Sequence, residues 1–346
     1  MSEMTTNGAG TASATAATMR AVSQDALGGP EVLKLVSLPT PQPGVSEILV
    51  RVHAAGVNPI DGMNRQTGAF VGAPPFVLGW DASGTVEAIG LGVTLFKPGD
   101  EVFGLLPFPQ GHGAYAEYVV GPARAFVRKP DELDHVHAAA IPMVGLTAWQ
   151  ALVDTAGVKK GSRVLINGAA GGIGHLAVQI AKARGAHVTG LASAENVDFV
   201  RSVGADVVID YTSSDFTQAV GDQDVVLDVV GGDYPSRALD VVKRGGIVVS
   251  AQPPSLGSLA GAAADRGVRL EGIVVEADNG GMAALAELAA AGELAPTIAG
   301  TYPLEQAATA SAMADLASSD QYFPLEDGGP AESGTHGPGK IVLAIL

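Results

Sequence analysis

"SRVLINGAAGGIGHLAVQIAKARGAHVTGLASAEN", residues 162–196, decides how this chain is read. An apolar run, "RVLING", meets a cluster of glycines. The chain then takes up a helical 3.6-residue apolar period in "IGHLAVQIAKARG" and returns to a second apolar run, "HVTGLA". Strand, glycine turn and helix in this order make a phosphate cradle. The first N–H groups of a helix lack partners, its dipole end is positive, and glycine lets a pyrophosphate approach the backbone. "GAAGGIG" departs from G-x-G-x-x-G by placing Ala169 at the first glycine and keeping Gly171 and Gly174 as second and third. The expected phosphate contacts are Gly168, Ala169, Ala170, Gly171, Gly172 and Ile173.

About 20 residues beyond such a turn, an NAD-binding unit presents Asp or Glu to the ribose hydroxyls. Here "GLASAEN" puts Ala192 in that place and Ser193 after it. Without the carboxylate a ribose 2′-phosphate is not repelled, and Ser193 can donate to it, so NADPH is the expected cofactor. Glu195 is the opposing charge, and Arg201 and Tyr211 are nearby candidates. Asn196, Tyr211, Val230 and Ala251 complete the cofactor contacts expected in this half.

Working outward, "RVLING", "HVTGLA", "DVVID", "DVVLDVV", "GIVVSA" and "RLEGIVV" alternate with helical segments, the pattern of an α/β doubly wound parallel sheet. Upstream, from Met19 to about Met143, the runs are short and β-like ("EILVRVHAAGVN", "ASGTVEAIG", "DEVFGLL", "AYAEYVV") and are punctuated by "PQPG", "KPGD" and "GPAR", which suggests a β-rich, barrel-like unit. Downstream, a helix "MAALAELAAAG" begins near Asn279, and the chain ends in "GKIVLAIL", a strand able to return to the first unit. Residues 318–337, acidic and rich in Gly and Pro, read as a surface loop. Residues 1–18 read as a disordered tail, lacking the basic start and apolar middle of a secretory signal.

Composition narrows the classes. The 346 residues favour two domains, and 47% hydrophobic content in short runs gives no membrane span, so no membrane partner is expected. A formal charge of −16 argues against nucleic acid as a partner, because phosphate-backbone binding rests on Lys and Arg. The absence of cysteine excludes disulfides, thiolate metal sites and a cysteine nucleophile, and it fits a cytoplasmic location.

The motifs "AAGVNPID", "LGWDASGTVEAIG", "KPGDEVFG", "GAYAEYVV", "LTAW", "GAAGGIGHLAVQIAKARGA", "GADVVIDY", "DVVGG" and "GKIVL", in this order, resemble the zinc-independent quinone oxidoreductase branch (zeta-crystallin-like) of the medium-chain dehydrogenase/reductase superfamily. The resemblance spans residues 19–346. It implies a GroES-like catalytic domain from residues 19–143 and 279–346, a Rossmann NADPH-binding domain from residues 144–278, and a homodimer, with "RLEGIVV" as the expected sheet edge between subunits. In the alcohol-dehydrogenase relatives a catalytic zinc is held by Cys, His and Cys. The matching places here are Asn58, Trp80 and Met143, which form no zinc ligand set, so no metal is expected.

Without a Lewis acid the favoured acceptor already carries an electron sink, a quinone or an α,β-unsaturated carbonyl (enone). By resemblance, Asn58 lies near the nicotinamide ribose and the substrate, Thr147 lies beside the nicotinamide, and Lys340 of "GKIVL" is a cofactor contact. Trp80, Met63 and Met143 are the expected substrate pocket. Met63 stands where relatives often carry a tyrosine, so proton delivery falls to solvent or to His112. Asp61 and Asp81 read as structural hydrogen-bonding residues, and His135 and His137 as surface residues at a helix start. Two other functions stay open: an enoyl-thioester or polyketide-intermediate enoyl reductase, and a non-catalytic, crystallin-like NADPH-binding protein.

Overall fold

The structure, a computed structural model, describes residues 17–111, 113–322 and 337–346, with side chains described up to residue 316 and again from residue 337. Six parallel strands form one sheet in the order Val207–Asp210, His187–Ala192, Arg163–Asn167, Gln223–Asp228, Val242–Ser250 and Arg269–Gly272. All six apolar runs read from the sequence are strands of this sheet. The inner strands Arg163–Asn167, Gln223–Asp228 and Val242–Ser250 carry runs of buried Val, Ile and Leu because helices cover both faces, whereas the edge strand Arg269–Gly272 is mostly exposed. The chain starts in the middle, winds outward to one edge, and returns to wind toward the other. The switch point therefore falls between Arg163–Asn167 and Gln223–Asp228, and a crevice opens beyond their carboxyl ends.

A second sheet joins the two ends of the chain. Its order is Ile298–Pro303, Lys340–Ala344, Glu47–Val57, Asp81–Ile89, Glu101–Leu105 and Phe126–Arg128, with Tyr118–Pro122 also paired to Glu47–Val57. The eleven-residue strand Glu47–Val57 is the spine: three different strands bond to it, and its apolar side chains are fully buried. A small three-stranded sheet, Lys34–Pro39, Thr18–Gln24 and Phe76–Val77, flanks it. Helix Asn279–Ala290 packs on helix Pro142–Trp149, where Leu285 meets Gly145, and Asn279 Nδ2 donates to the Phe126 carbonyl at 3.0 Å.

Two sequence expectations shift. The first strand begins at Thr18, one residue inside the expected tail, whose residues 1–16 lie outside the described residues. Helix Ala307–Tyr322 runs five residues into the segment read as an acidic surface loop, and residues 323–336 of that loop lie outside the described residues. Small residues with helical propensity, "AATASAMADLASS", carry the helix past the point where acidity alone suggested a loop. No helix among the described residues is long and apolar enough to cross a membrane.

Candidate active site

The quoted glycine cluster forms the sharp turn between strand Arg163–Asn167 and helix Gly172–Ala183. Gly168 sits at φ +73°, a conformation that favours glycine, and a Cβ on Gly174 would overlap the Gly168 carbonyl oxygen. Gly171 is the N-cap and brings no side chain, so no side chain of the turn itself caps the opening N–H groups of the helix. Beneath the turn, His175 is fully buried. Its Nδ1–H donates to the Gly171 carbonyl at 2.9 Å, while Nε2 accepts the Thr297 N–H at 3.1 Å, which fixes the neutral tautomer. Burial pushes His175 down to about 4. Nothing in the sequence pattern signalled this histidine.

Across the crevice, three buried polar side chains from three neighbouring segments meet. Strand Lys340–Ala344 pairs antiparallel with Glu47–Val57, and Ile341 opposite Val57 puts Lys340 beside Asn58. Strand Asp81–Ile89, bonded to the other edge of that spine, starts with Asp81 at the same level. Lys340 Nζ donates to the Val57 carbonyl at 2.7 Å and to Asn58 Oδ1 at 2.5 Å, and lies 3.9 Å from Asp81 Oδ2. Asn58 Nδ2 donates to Asp81 Oδ2, and Met143 N–H, in the first turn of helix Pro142–Trp149, donates to Asp81 Oδ1, each at 2.8 Å. Burial pushes Asp81 up and Lys340 down from their ordinary values, while their mutual attraction opposes both shifts.

A second layer supports Asn58. Asp61 Oδ2 accepts the Asn58 N–H at 2.7 Å and the Tyr115 hydroxyl at 2.8 Å. Burial raises Asp61 to about 7, and burial together with the Asp61 charge holds Tyr115 well above its usual range. Helix Pro59–Thr67, which carries Asp61 and Met63, starts with proline at its first position and closes at Gly68 in the left-handed region. Arg65 on this helix is fully buried. It donates to Ser311 Oγ, to Asp315 Oδ2 at 2.7 Å and to the Gly28 carbonyl at 3.1 Å, tying the helix to Ala307–Tyr322.

Between these walls lies a cavity of about 520 Å³ that reaches Gly168, Gly171, Gly172, Ile173 and Ala251 on one side and Asn58, Met143, Thr147 and Lys340 on the other. Ile60, Met63, Phe70 and Phe108 make an apolar wall. Thr147 Oγ1 donates to the Met143 carbonyl at 2.7 Å, which leaves its oxygen an acceptor at the cavity. Several expected residues stand elsewhere. Trp80 is buried behind Phe108, with ring centroids 5.3 Å apart, and its indole N–H donates to the Gln110 carbonyl, because a ring of that size fills the core beneath the wall and does not line it. Val230 borders a smaller adjoining cavity of about 210 Å³ with Gly231, Gly232 and Ser255. Ser193 and Tyr211 follow two paired strands, with Asn196 Nδ2 donating to Ser193 Oγ at 3.0 Å. Glu195 Oε1 accepts from that same hydroxyl at 3.4 Å. Ala169 is buried under the turn, and Ala170 is partly exposed upon it.

His112 lies outside the described residues. At the start of helix His135–Ala139 the His137 side chain is 44% exposed and that of His135 only 17%. The His135 ring stacks on His53 with centroids 4.2 Å apart and bonds Ser83 Oγ at 2.8 Å, because the helix packs over the strand that carries His53. Lys340 is the residue whose expected role changes most: its ammonium is turned to Asn58. The signal was available in a lysine opening a strand as apolar as "KIVLA", since such a lysine must find buried partners.

The zinc ligand test fails on the chemistry of the residues. At the three places, the Asn58 oxygen is taken by Lys340, Trp80 offers only a donor, and Met143 offers a thioether. Among the described residues no group of three or more His, Asp and Glu is placed to hold a metal.

A parallel sheet wound from a central glycine turn and docked on a β-rich unit drawn from both chain ends defines the architecture of the medium-chain dehydrogenases/reductases. The comparisons agree. The alcohol dehydrogenase GroES-like domain family matches residues 44–131, and the zinc-binding dehydrogenase family matches residues 203–321. Human quinone oxidoreductase is 34% identical over 308 residues, covering 84% of this chain and 92% of that protein. A mitochondrial NAD(P)H oxidoreductase of Danio rerio is 41% identical over 220 residues, 57% of each, so the chain matches little more than half the length of that relative. The structure of the quinone oxidoreductase from Coxiella burnetii superposes with a TM-score of 0.84 at 34% identity, covering 95% of this chain and all of that one. The chain belongs to the quinone oxidoreductase branch of the medium-chain dehydrogenase/reductase superfamily.

Proposed function

We propose that this protein is an NADPH-dependent oxidoreductase that passes hydride to a quinone or an α,β-unsaturated carbonyl without a metal. The observation that carries the reading is the cavity itself. It joins a helix N-terminus left uncapped by any side chain of its turn to an apolar wall, with a buried amide, Asn58, at the far end in place of metal ligands. Relatives named quinone oxidoreductase and NAD(P)H oxidoreductase support it.

When bound, the nicotinamide supplies the hydride. The protein binds, orients and excludes water. The N–H groups opening helix Gly172–Ala183 would hold the pyrophosphate of the cofactor, and Ser193, Asn196 and Tyr211 would hold its adenosine ribose, where Ala192 brings no charge to repel a 2′-phosphate. The Thr147 oxygen accepts from the nicotinamide end. Met63, Phe70 and Phe108 shield the reacting atoms from water. Asn58 donates its second amide N–H to the acceptor oxygen as negative charge develops there, and water supplies the proton that completes the reduction.

NADPH oxidation by purified protein with naphthoquinones, simple enones and an enoyl thioester, with product analysis, tests this reading. Turnover of quinone or enone is expected. Turnover of the thioester alone would replace the substrate class, and NADPH binding with no turnover would favour a binding protein. A homodimer through the edge strand Arg269–Gly272, which has one sheet neighbour among the described residues and runs on to the exposed Val274, completes the proposal together with a cytoplasmic setting. Light scattering at twice the 34.8 kDa chain mass is the expected result.

A further inference from the structure

A lysine beside a dinucleotide cleft is ordinarily taken as a phosphate ligand, but Lys340 is built differently. Its stem passes the glycine turn, close enough that a Cβ on Gly172 would come within 3.1 Å of Lys340 Cδ. Its ammonium, on a residue 3% exposed, ends on the other wall between the Val57 carbonyl, Asn58 Oδ1 and the Asp81 carboxylate. The ammonium and the carboxylate bracket one amide. The cation faces Oδ1 and the anion faces Nδ2, so the flipped amide would set N–H against ammonium and oxygen against carboxylate. Asp81 is itself fixed by the Met143 N–H and by Gly56, where a Cβ would fall 2.5 Å from Asp81 Oδ2. Asn58 lines the cavity, and the second N–H of its amide is engaged by no hydrogen bond among the described residues.

We infer that Lys340 is the positioning residue of the acceptor site: with Asp81 it locks the Asn58 amide in one orientation, Oδ1 on the ammonium and one N–H on the carboxylate, so that the remaining N–H is held toward the acceptor oxygen. This rests on the hydride-transfer reading above. Hydride adds to the acceptor, the electron pair of the reduced double bond moves onto oxygen, and that oxygen is held by Asn58 Nδ2–H until water protonates it. No reactant beyond NADPH and water is required.

Lys340→Met and Lys340→Arg test the assignment with three readouts: the NADPH dissociation constant, kcat against KM for a naphthoquinone, and the ionisation of 4-nitrophenol bound to the NADP⁺-loaded protein. Lys340→Met is expected to keep NADPH affinity within about threefold and to lower kcat about 100-fold with little change in KM, the pattern of a lost transition-state contact. Bound 4-nitrophenol should ionise at least about one pH unit below its free value in the wild-type protein, lose that shift in Lys340→Met and recover much of it in Lys340→Arg. An NADPH affinity that falls about tenfold or more with kcat unchanged would make Lys340 a phosphate ligand and overturn the inference. If Lys340→Met does not fold, the wild-type and Lys340→Arg titrations decide, and an unshifted phenol overturns it. A protein that turns over no acceptor yet shifts the phenol through Lys340 would remove the hydride-transfer reading and leave the charged amide seat standing.

Discussion

On the Rossmann side of the cavity, Gly168, Gly171 and Gly174 make room by having no side chain; on the opposite wall, Asn58, Asp81 and Lys340 fill the core with three polar side chains that satisfy one another. The first wall offers backbone N–H groups and leaves little that a side-chain substitution could remove, only space that one could fill. The second holds buried charge, and removing any member strands another. His175 links the two, bonded to Gly171 on the turn and to Thr297, whose carbonyl accepts the Lys340 N–H at 2.8 Å.

The polar wall is expected to fail first at Asp81. Asp81→Ala leaves the Lys340 ammonium buried beside a weakened partner set, and we expect a loss of about 3–5 kcal/mol in urea unfolding. The double change Asp81→Leu with Lys340→Met should recover most of that loss, because two apolar side chains replace a pair. A single change costing under about 1 kcal/mol would mean that the ion pair is not formed.

The link between the walls is expected to be pH-sensitive. The unfolded His175 imidazole takes a proton as pH falls through its ordinary 6.5, while the folded one resists until about 4, so its contribution is present above pH 6.5 and is lost between 6.5 and 4. At 1.36 kcal/mol per unit this amounts to about 3 kcal/mol. Asp61 runs the other way. Raised to about 7 from 3.8, it costs stability as pH rises through that interval. Comparing the wild-type protein with His175→Asn cancels the Asp61 contribution. The wild-type advantage should shrink by about 3 kcal/mol from pH 7 to pH 4, and a constant difference would contradict the buried neutral histidine.

These two walls also separate what the sequence reveals from what it hides. The glycine turn, its strand and its helix are contiguous, so residues 162–196 carried the cradle, and the spacing of six apolar runs carried the sheet. Asn58, Asp81 and Lys340 are brought together by the register of three strands far apart in the chain, which no local pattern encodes. Resemblance supplied Asn58 and Thr147 at the cavity and placed Lys340 there, but gave no direction to its ammonium. Trp80 was read as a pocket wall because its place in the motif is a ligand's place in relatives. Its volume decided otherwise, and Phe108, forward of it, forms the surface.

Smaller effects sharpen the first wall. Gly174→Ala forces a methyl against the Gly168 carbonyl and should cost about 1–3 kcal/mol in thermal unfolding together with weaker NADPH binding. A neutral outcome would mean that the turn has room to relax. Ala192→Asp introduces the carboxylate missing from the strand end and should shift the NADPH-to-NADH affinity ratio about tenfold toward NADH. An unchanged ratio in paired titrations would place the preference elsewhere, with Glu195 the first residue to examine.

The most direct test of metal-free hydride transfer is the rate of NADPH oxidation with a naphthoquinone before and after exhaustive dialysis against a strong chelator, using NADPH carrying deuterium on each face of the nicotinamide in turn. The same rate is expected after chelation, with a primary isotope effect from one labelled face only. A rate abolished by chelation and restored by zinc, or no isotope effect from either face in a single turnover, would contradict it.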